Sequence, residues 1–398
     1  MNILVYKDEW AYSVVNLFVE NSVYFLRKKG HNVTIIDANN SDAINILLNI
    51  FNTQIVDLVI NFGKATNPIL NDGRPLYDAA NTTLLAIYVD HPAYHIPSLT
   101  ENIKNFLCCF NDKQHVDYIN EILPNHHKIS FFLPHGGLTT NIEEDNQIKT
   151  FEKYKKQKTI DIVFAGTFMG NINKKWDEIE VDFPKYILDE TCEKLINDDY
   201  GSVHQTFNNI CDKYGIKFST FGKVQLSGIL IEIINYVRSI RRVELIKTIV
   251  NSGLNITICG NGWENFVKEH KNINYVGTLD IKDNLELIKK AKVLVNVTPN
   301  FTDGSHERVF TGMLNNTVVF GDKSRYYNEF FEDEENILYY SFNSLDNDIK
   351  KLKEILKDDK KLFDISQNAY EIANQHHTWE NRVDTMLEMV NLSKLMDK

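Results

Sequence analysis

Apolar runs of strand length alternate with amphipathic stretches in the first third of the chain. The runs lie at residues 1–6, 33–37, 57–63, 84–90, 106–111 and 128–133. Between the first of them, residues 11–29 and 42–51 carry apolar side chains at helical spacing. Strands that alternate with helices in this way are typical of a doubly wound, mostly parallel sheet. The pattern therefore predicts an N-terminal α/β domain over residues 1–150.

A second α/β series follows a polar stretch. Residues 141–158 are rich in lysine and lack an apolar run, so we predict an interdomain linker there. Apolar runs of strand length then recur at residues 160–165, 255–259, 274–276, 293–297, 317–320 and 337–340. Residues 172–252 have mainly helical character and are predicted to pack on this second domain, at residues 159–377. Two charged helices are predicted to close the chain, at residues 345–356 and 360–395, with a break near 376–378.

Residues 291–322 have the order strand, polar loop, helix, strand. In such a βαβ unit, the loop after the first strand lies at the ligand-binding edge of the sheet. The free N–H groups and partial positive charge of a helix N-terminus suit a phosphate. This stretch is therefore a candidate diphosphate site, the alternative being an ordinary turn with a solvated charge cluster. The polar residues around the predicted helix start are Asp303, Gly304, Ser305, His306, Glu307 and Arg308.

Composition narrows the class of protein. At 398 residues the chain exceeds one ordinary core, so two domains are expected. A net charge of −11 argues against a broad nucleic-acid surface, so no nucleic-acid partner is predicted. The five cysteines form no C-x-x-C pair, which is typical of free thiols in a reducing compartment. No signal peptide and no apolar run of membrane-spanning length occur, so we expect a cytoplasmic protein, with peripheral membrane association left open.

Two glycine-containing turns follow predicted strands of the second domain. Gly166 and Thr167 come directly after a strand, where backbone amides could approach a diphosphate. Neither the G-x-G-x-x-G nor the P-loop pattern is present, and a plain tight turn is the alternative. Asn261 and Trp263 lie in the turn GNGW, where an indole could contact a base or sugar or serve the core. The chain has no G-x-S-x-G elbow, which argues against an α/β-hydrolase.

Histidines follow strands of the first domain. Asp90 and His91 end one strand with His95 nearby, and His135 and Gly136 follow another. A carboxylate beside imidazoles can orient an acceptor hydroxyl or take its proton, because imidazole titrates near neutrality. The alternative is that these histidines are structural. A metal site at His91 and His95 lacks a third ligand at suitable spacing, so no metal site is predicted.

These motifs resemble those of GT-B-fold bacterial glycosyltransferases with a spore-maturation-type, glycosyl transferase family 1-like C-terminal domain. The similar segments are YVDHPAYH, FFLPHGG, DIVFAGT, ICGNGW and GSHERVFTGMLNNTVVFGD. They cover most of the chain in order, and the last segment is the most specific. The resemblance implies two Rossmann-like domains facing each other across a cleft. It also implies that a C-terminal helix, residues 378–398, packs back on the first domain.

The resemblance also implies roles for the candidate residues. The second domain would hold a nucleotide-sugar donor, a UDP-sugar, and the first would hold the acceptor. Arg308 and helix N–H groups would stabilise the diphosphate leaving group without a metal, so no cofactor beyond the co-substrate is expected. The donor would be bound by Gly166, Thr167, Asn261, Trp263, Gly277, Thr278, Asp303, Gly304, Ser305, His306 and Thr311. Asp90, His91, Glu307 and Arg308 would be catalytic, and His95, His135 and Gly136 would lie on the acceptor side.

One departure from the family pattern affects the sugar site. In many retaining relatives two glutamates eight positions apart flank this loop and contact the sugar and the ribose. The aligned positions here are Asp303 and Thr311, and the nearby acid is Glu307. The ribose contact and the choice between retention and inversion are therefore left open.

Three functions remain after this comparison. The first is a hexosyltransferase that moves a sugar to a glycan, a protein or another cell-envelope acceptor. The second is a nucleotide-sugar epimerase, for which Asp90, His91 and Glu307 are candidate acids and bases. The third is a non-catalytic module that binds a nucleotide or a partner, an option kept open by Thr311.

Overall fold

The chain folds into two compact units. The computed structural model describes residues 1–8, 14–64, 66–168, 170, 173–178, 183–298 and 301–396. Unit 1 consists of Met1–Gly136, Phe218–Ser227 and Trp379–Lys398, and unit 2 of Gly137–Lys217 and Gly228–Thr378. The chain therefore passes between the units four times, after residues 136, 217, 227 and 378.

Unit 1 contains a parallel sheet of six strands in the order β2-β1-β3-β4-β5-β6. The inner strands β4 and β5 are buried at every position, which explains why their sequences are apolar throughout. The strands are β1 (Asn2–Lys7), β2 (Asn32–Asp37), β3 (Leu58–Phe62), β4 (Thr83–Tyr88), β5 (Phe106–Phe110) and β6 (Ile129–Phe132).

Unit 2 contains a second parallel sheet of six strands, in the order β12-β11-β10-β7-β8-β9. Two such sheets confirm the predicted α/β class. The strands are β7 (Ile160–Ala165), β8 (Ile256–Cys259), β9 (Ile273–Tyr275), β10 (Ala291–Asn296), β11 (Val318–Asp322) and β12 (Leu338–Tyr340).

Helices connect the strands of both sheets. From residue 1 to residue 225 they are α1 (Val14–Lys28), α2 (Ala43–Thr53), α3 (Leu76–Ala79), α4 (Ile96–Leu99), α5 (Lys113–Ile122), α6 (Phe151–Gln157), α7 (Lys175–Glu178), α8 (Lys185–Asn197), α9 (Val203–Lys213) and α10 (Thr220–Gln225). The rest are α11 (Ser227–Asn251), α12 (Glu264–Lys268), α13 (Ile281–Lys290), α14 (Glu307–Leu314), α15 (Leu345–Ile355), α16 (Asp359–His376) and α17 (Trp379–Leu395). The predicted start of the first helix, residues 11–13, lies outside the described residues.

The predicted linker at residues 141–158 is wrong. This stretch contains helix α6, and Ile148 and Tyr154 are buried in the core of unit 2. Lys158 is also buried, and its Nζ donates to the carbonyl oxygen of Asn315 at 3.1 Å and to Thr317 Oγ1 at 2.7 Å. Ile148, Phe151 and Tyr154 thus anchor the stretch to the core, although they are separated by polar residues and form no apolar run.

One segment within residues 172–252 lies outside unit 2. Helix α10 lies within unit 1, where it packs on α5 and Lys223 forms an ion pair with Glu121. Its neighbours α9 and α11 lie almost entirely in unit 2. No local sequence pattern distinguishes this helix from the others, because its position depends on a partner about a hundred residues away.

The predicted return of the C-terminal helix to the first domain is confirmed. Helix α16 ends at His376, and α17 packs on α1 within unit 1. The Trp379 ring centroid lies 5.0 Å from that of Phe18 and 6.1 Å from that of Phe62. At Gly136, an added Cβ would lie 2.9 Å from the Trp379 ring, so this glycine allows the indole to pack.

Replacing Trp379 by alanine tests whether α17 stabilises unit 1. We expect Trp379→Ala to lower the free energy of unfolding by about 3–5 kcal/mol, because a buried indole is replaced by a cavity. Leu395→Ala is the control on the same helix: its side chain is exposed, so a change within about 0.5 kcal/mol is expected. Denaturant unfolding measures both, and equal effects would contradict the packing role.

Candidate functional site

The candidate site lies in unit 2, at the carboxyl ends of β7 and β10. These two strands are neighbours in the sheet, but the chain continues from β7 to β8 on one side and from β10 to β11 on the other. Such a switch point leaves a crevice outside the strand ends, where ligands bind in open α/β sheets. The loops that follow β7 and β10 therefore form the two sides of the candidate site.

The loop after β7 is held against the loop after β8. The Gly166 N–H donates to the carbonyl oxygen of Cys259 at 2.9 Å, and the Phe168 N–H donates to that of Asn261 at 2.8 Å. Gly260 has a φ of +131°, and a Cβ at this residue would lie 2.3 Å from the Gly166 carbonyl oxygen. Glycine is thus needed at residue 260 for the two loops to meet.

The structure corrects the predicted role of Trp263. The indole is fully buried in the core of unit 2, and its Nε1 donates to the carbonyl oxygen of Gly166 at 2.7 Å. It therefore supports the loop after β7 from inside the core and presents no open face to a base. The motif identified the correct loop, but not the direction in which its aromatic side chain points.

The other residues predicted near the base lie together at the ends of β8 and β9. Asn261 and Thr278 are exposed, and the Thr278 hydroxyl donates to the Asn261 side chain. The Gly260 N–H donates to the carbonyl oxygen of Gly277 at 2.9 Å, which joins the two turns. Their contact with a nucleotide base stays a prediction.

Residues that follow β11 hold the loop after β10 by hydrogen bonds. Ser324 Oγ accepts from the Gly304 N–H at 3.1 Å and donates to the Gly304 carbonyl oxygen at 2.8 Å. The hydroxyl oxygen of Tyr327 accepts from the His306 N–H at 2.8 Å. The loop is therefore fixed at two points just before α14 begins. Asp303 is partly exposed in this loop and Ser305 is buried, whereas Pro299 and Asn300 lie outside the described residues.

A buried carboxyl group fixes Thr298, near the start of this loop. Asp322 Oδ2 accepts from the Thr298 N–H at 2.6 Å, and Oδ1 accepts from the Thr298 hydroxyl at 2.6 Å. Burial raises the pKa of Asp322 to about 6, although the bonds from Thr298 and the charge of Arg241 act in the opposite direction.

At the start of α14, three side chains form a chain of polar contacts. Glu307 Oε2 lies 2.5 Å from His306 Nδ1, and Arg308 Nη2 lies 3.4 Å from His306 Nε2. Burial lowers the pKa of His306, and the charge of Glu307 only partly opposes it. His306 is also the N-cap of α14, because its Nδ1 accepts from the Arg308 backbone N–H at 3.2 Å. Arg308 is thereby positioned at the N-terminus of α14.

Thr311, which the family comparison places at a glutamate position, faces inward. Its hydroxyl accepts from the Leu138 N–H at 3.0 Å, and the residue is almost completely buried. Thr311 therefore anchors the segment at Leu138 to α14. This position corrects its predicted role in donor binding. Glu307, one turn earlier, is the acid of this helix that lies at its N-terminus.

Sequence reasoning missed two arginines of α11 that lie at this site. Arg242 is 9% exposed, its Nη1 donates to the Thr167 carbonyl oxygen at 2.5 Å, and its guanidinium lies 5.8 Å from the Phe164 ring centroid. Burial, followed by the charges of Arg308 and Arg238, lowers the pKa of Arg242 to about 9. Arg238 and Arg242 are four residues apart and so share one face of the helix, which is the signal that could have paired them.

In unit 1, Asp90 and His91 follow β4. Asp90 is exposed, whereas His91 is buried and caps the 3₁₀ turn Pro92–His95, with Nδ1 accepting from the Ala93 N–H at 3.1 Å. The His91 ring centroid lies 4.6 Å from that of His115. Burial lowers the pKa of His95, and the charge of Asp90 opposes this. Asp90 is therefore the member of the group that is open to solvent.

His135 and Gly136 follow β6 in unit 1. The side-chain amide nitrogen of Asn111 lies 3.1 Å from His135 Nε2, and Arg382 Nε donates to the His135 carbonyl oxygen at 2.9 Å. These contacts, and the packing of Gly136 against Trp379, give both residues a structural role. A role in holding an acceptor stays a prediction.

Among the described residues there is neither a membrane-spanning helix nor a cluster of metal ligands. In the described ranges, no helix combines the length and the apolar character needed to cross a bilayer. Within the same ranges, no group of three or more histidine, cysteine, aspartate or glutamate residues is arranged to hold a metal ion.

Comparison with solved structures identifies the fold. Sucrose-phosphate synthase from Thermosynechococcus elongatus superposes with a TM-score of 0.55 at 11% identity, over 98% of each chain. Alr3699/HepE from Anabaena, in complex with UDP and glucose, gives a TM-score of 0.52 at 11% identity, over 98% of this chain and 99% of the other. An α-glucosyltransferase in complex with UDP-glucose and DNA containing an abasic site gives 0.54 at 12% identity, over 98% and 99%. The chain has the GT-B fold.

Sequence comparison agrees with this GT-B assignment. Residues 240–388 match the family described as "Glycosyl transferase-like", and this range contains α14, its preceding loop and Arg242. No curated protein matches the chain significantly in sequence. The predicted resemblance to GT-B-fold glycosyltransferases is thus confirmed.

Gly260→Ala tests the close approach of the two loops in this GT-B chain. An alanine in a left-handed conformation costs about 1–2 kcal/mol by itself. We expect Gly260→Ala to lower the free energy of unfolding by more than this, because the new Cβ would meet the Gly166 backbone. Gly30→Ala is the control, since Gly30 has a φ of +83° with nothing within 4 Å of an added Cβ. Thermal and denaturant unfolding measure the free energy of unfolding of both variants. Equal losses in Gly260→Ala and Gly30→Ala would contradict the contact.

Asp322→Asn tests the buried carboxyl group. Because the folded-state pKa is raised from 3.8 to about 6, the folded protein binds the proton more tightly than the unfolded chain. The contribution of Asp322 to stability is therefore fully present below about pH 4 and is lost as the pH rises to about 6. Asparagine can keep both bonds with Thr298 if the threonine hydroxyl reverses its role.

The measurement is the free energy of unfolding of both proteins between pH 4 and pH 7. As the pH rises from about 4 to about 6, we expect wild type to lose stability relative to Asp322→Asn, because the Asp322 carboxyl group loses its proton. A difference that is constant with pH would contradict the raised pKa.

Proposed function

We propose that this chain is a metal-independent hexosyltransferase that moves a sugar from a UDP-sugar to a glycan, protein or cell-envelope acceptor. The observation that carries the proposal is the position of Arg308. Arg308 lies in the first turn of α14, at the switch point of a GT-B fold and within the segment that matches glycosyl transferase-like sequences. Two of the compared structures were solved with UDP or UDP-glucose, which supports this donor class.

The chemistry of transfer requires stabilisation of two charges. Positive charge develops at the anomeric carbon and negative charge on the leaving diphosphate. The α14 N-terminus contributes a partial positive charge, and Arg308 adds a full one. Glu307 beside them provides a carboxylate that can accept from sugar hydroxyls or face the positive ring carbon. The rest of the proposed donor site is formed by the loop after β10, with Asp303, Gly304, Ser305 and His306.

The acceptor side of the proposal rests on unit 1. Asp90 is exposed at the carboxyl end of β4, where ligands bind in sheets of this class. A carboxylate there can take the proton of an acceptor hydroxyl, and His91 below it fixes the turn that follows. His95 borders the same turn.

An epimerase is the second candidate function. It is favoured by the contact between Glu307 and His306, since an acid and a base held 2.5 Å apart could exchange a proton with a sugar. A non-catalytic nucleotide-binding module is the third candidate. It is favoured by Thr311, whose hydroxyl is engaged by the backbone of Leu138.

A donor screen distinguishes these three functions. Purified protein is incubated with UDP- and GDP-sugars, with and without candidate acceptors, and products are identified by mass spectrometry. A transferase releases nucleotide and adds sugar mass to an acceptor. An epimerase interconverts the sugar without an acceptor, and a binding module binds the nucleotide without turnover.

Arg308→Ala is the matched variant for the screen. We expect turnover to fall by about a hundredfold or more, because one charged donor to the leaving group is lost. Circular dichroism and the melting temperature provide the folding control. Full transfer activity in a folded Arg308→Ala protein would rule out its role at the leaving group.

A further inference from the structure

Helix α2 of unit 1 is rich in apolar residues but buries almost none of them. Seven of its eleven residues are apolar, and of these eleven, all of which the structure describes, only Leu47 is buried. Ile44 and Ile46 are 47% and 39% exposed. An ordinary surface helix turns an apolar stripe to the core and a charged face to water. The open apolar surface therefore marks α2 as a candidate contact for another molecule.

The outward face of α2 has a row of asparagines at its centre. Asn45, Asn49 and Asn52 are exposed and recur at the i, i+4 and i+7 spacing of one helix face. At 3.6 residues per turn, Ile46 lies on one side of this row and Leu48 on the other. The face is thus a stripe of amide groups between two apolar borders, on a helix without a charged side chain.

This composition is unsuited to a lipid bilayer. Helices that lie on membranes carry lysine and arginine on the polar face and apolar side chains at the centre of the buried face. Residues 32–63 contain no lysine or arginine and three aspartates, so anionic lipid would repel this surface. Acyl chains would also leave the amide groups without hydrogen-bond partners, which is costly.

A second copy of the chain suits both the amide row and its apolar borders. An amide group donates through nitrogen and accepts through oxygen, so an asparagine can pair with the same asparagine of a partner. In a two-fold contact each patch meets its own copy, which suits a surface without charge. If the two helices run antiparallel, the Asp42 carboxylates that precede them lie at opposite ends of an 11-residue helix, about 16 Å apart. Their repulsion is weak, because the Debye length is about 8 Å at physiological ionic strength.

The edge strand on which α2 packs is less suited to such a contact. β2 is at the end of the first sheet, and its Ile35 is 39% exposed. However, Arg27 Nη2 donates to the Val33 carbonyl oxygen at 2.9 Å, so part of the strand edge already has a partner within the chain. The side chains of α2, and not pairing between two strands, therefore provide the contact.

We propose that α2 is the contact surface of a homodimer, in which two copies of α2 pack antiparallel across a two-fold axis near Asn49. The helix face measures about 16 Å by 10 Å, which is smaller than the roughly 800 Å² per partner of a standard interface. The dimer is therefore weak, and its population rises with protein concentration. Because α2 belongs to unit 1 and the candidate donor site to unit 2, the dimer does not depend on the proposed transferase function.

The first test is the oligomeric state of the full chain over a range of concentrations, measured by sedimentation velocity. We expect wild type to shift from monomer toward dimer as the concentration rises into the micromolar range. Ile46→Glu should raise the dissociation constant of the dimer by at least about tenfold, because two unpaired carboxylates would enter the contact. Leu395→Glu is the control, since Leu395 is also an exposed apolar residue of unit 1 but belongs to α17. It should dimerise like wild type.

The second test locates the axis by cysteine cross-linking. The five native cysteines are all buried, so a new exposed cysteine is the thiol that reacts. In an antiparallel contact centred on residue 49, Asn49→Cys meets its own copy, and the oxidant diamide should convert the protein to a disulfide-linked dimer. Leu395→Cys should stay free of the cross-link under the same conditions.

Three results would overturn this assignment. Wild type that stays monomeric at every concentration rejects the dimer. A dimer that Ile46→Glu leaves intact, or that gives no Asn49→Cys cross-link, has a different contact. Co-sedimentation of wild type, but not of Ile46→Glu, with vesicles of phosphatidylcholine and phosphatidylglycerol would make α2 a membrane contact instead. Circular dichroism and the melting temperature show whether each variant keeps the fold.

Discussion

The placement of helix α14 is the constraint on which the candidate site depends. At its N-terminus, Ser324 and Tyr327 fix the preceding loop, and at its C-terminus the buried Lys158 Nζ donates to the Asn315 carbonyl oxygen. This bond gives a partner to a carbonyl group at the helix end that has none within the helix. Near its C-terminus, Gly312 lets the helix approach the sheet, since an added Cβ would lie 2.9 Å from Val319 and 3.0 Å from Leu294. The helix is therefore held at both ends and packs against β10 and β11. Its first turn is thus fixed in position and carries the positive end of the helix dipole.

The local charge of the site contrasts with that of the whole chain. The chain carries a formal net charge of −11, yet Arg238, Arg242 and Arg308 gather at one crevice with Glu307 beside them. A few buried cations in low-dielectric surroundings attract a small anion strongly, while an acidic exterior repels long polyanions. The net charge of the whole chain therefore does not reveal this local group of cations.

Sequence patterning predicted the strands well because both sheets are parallel, and inner strands buried on both faces, such as β4 and β5, require nearly continuous apolar runs. It failed where a position depends on contacts distant in sequence. Tyr154 and α10 take their places from partners that no local pattern reveals. The same limit applies within the site. Trp263 and Arg242 belong to the correct segments, but only the three-dimensional packing turns the indole into the core and leaves the guanidinium at the crevice.

The position of the acid on α14 has a consequence for the sugar. Many retaining relatives carry a glutamate where this chain has Thr311, and here the Thr311 hydroxyl accepts from the backbone of Leu138. A longer acidic side chain at that position would be buried against the preceding chain instead of facing a ligand. Glu307 is four residues earlier, so it lies one turn nearer the N-terminus on a similar face of the helix. A carboxylate contact to a donor bound here would therefore move toward the loop after β10. There it would lie within the reach of Arg308 and His306, whose charge and hydrogen bond hold it in place.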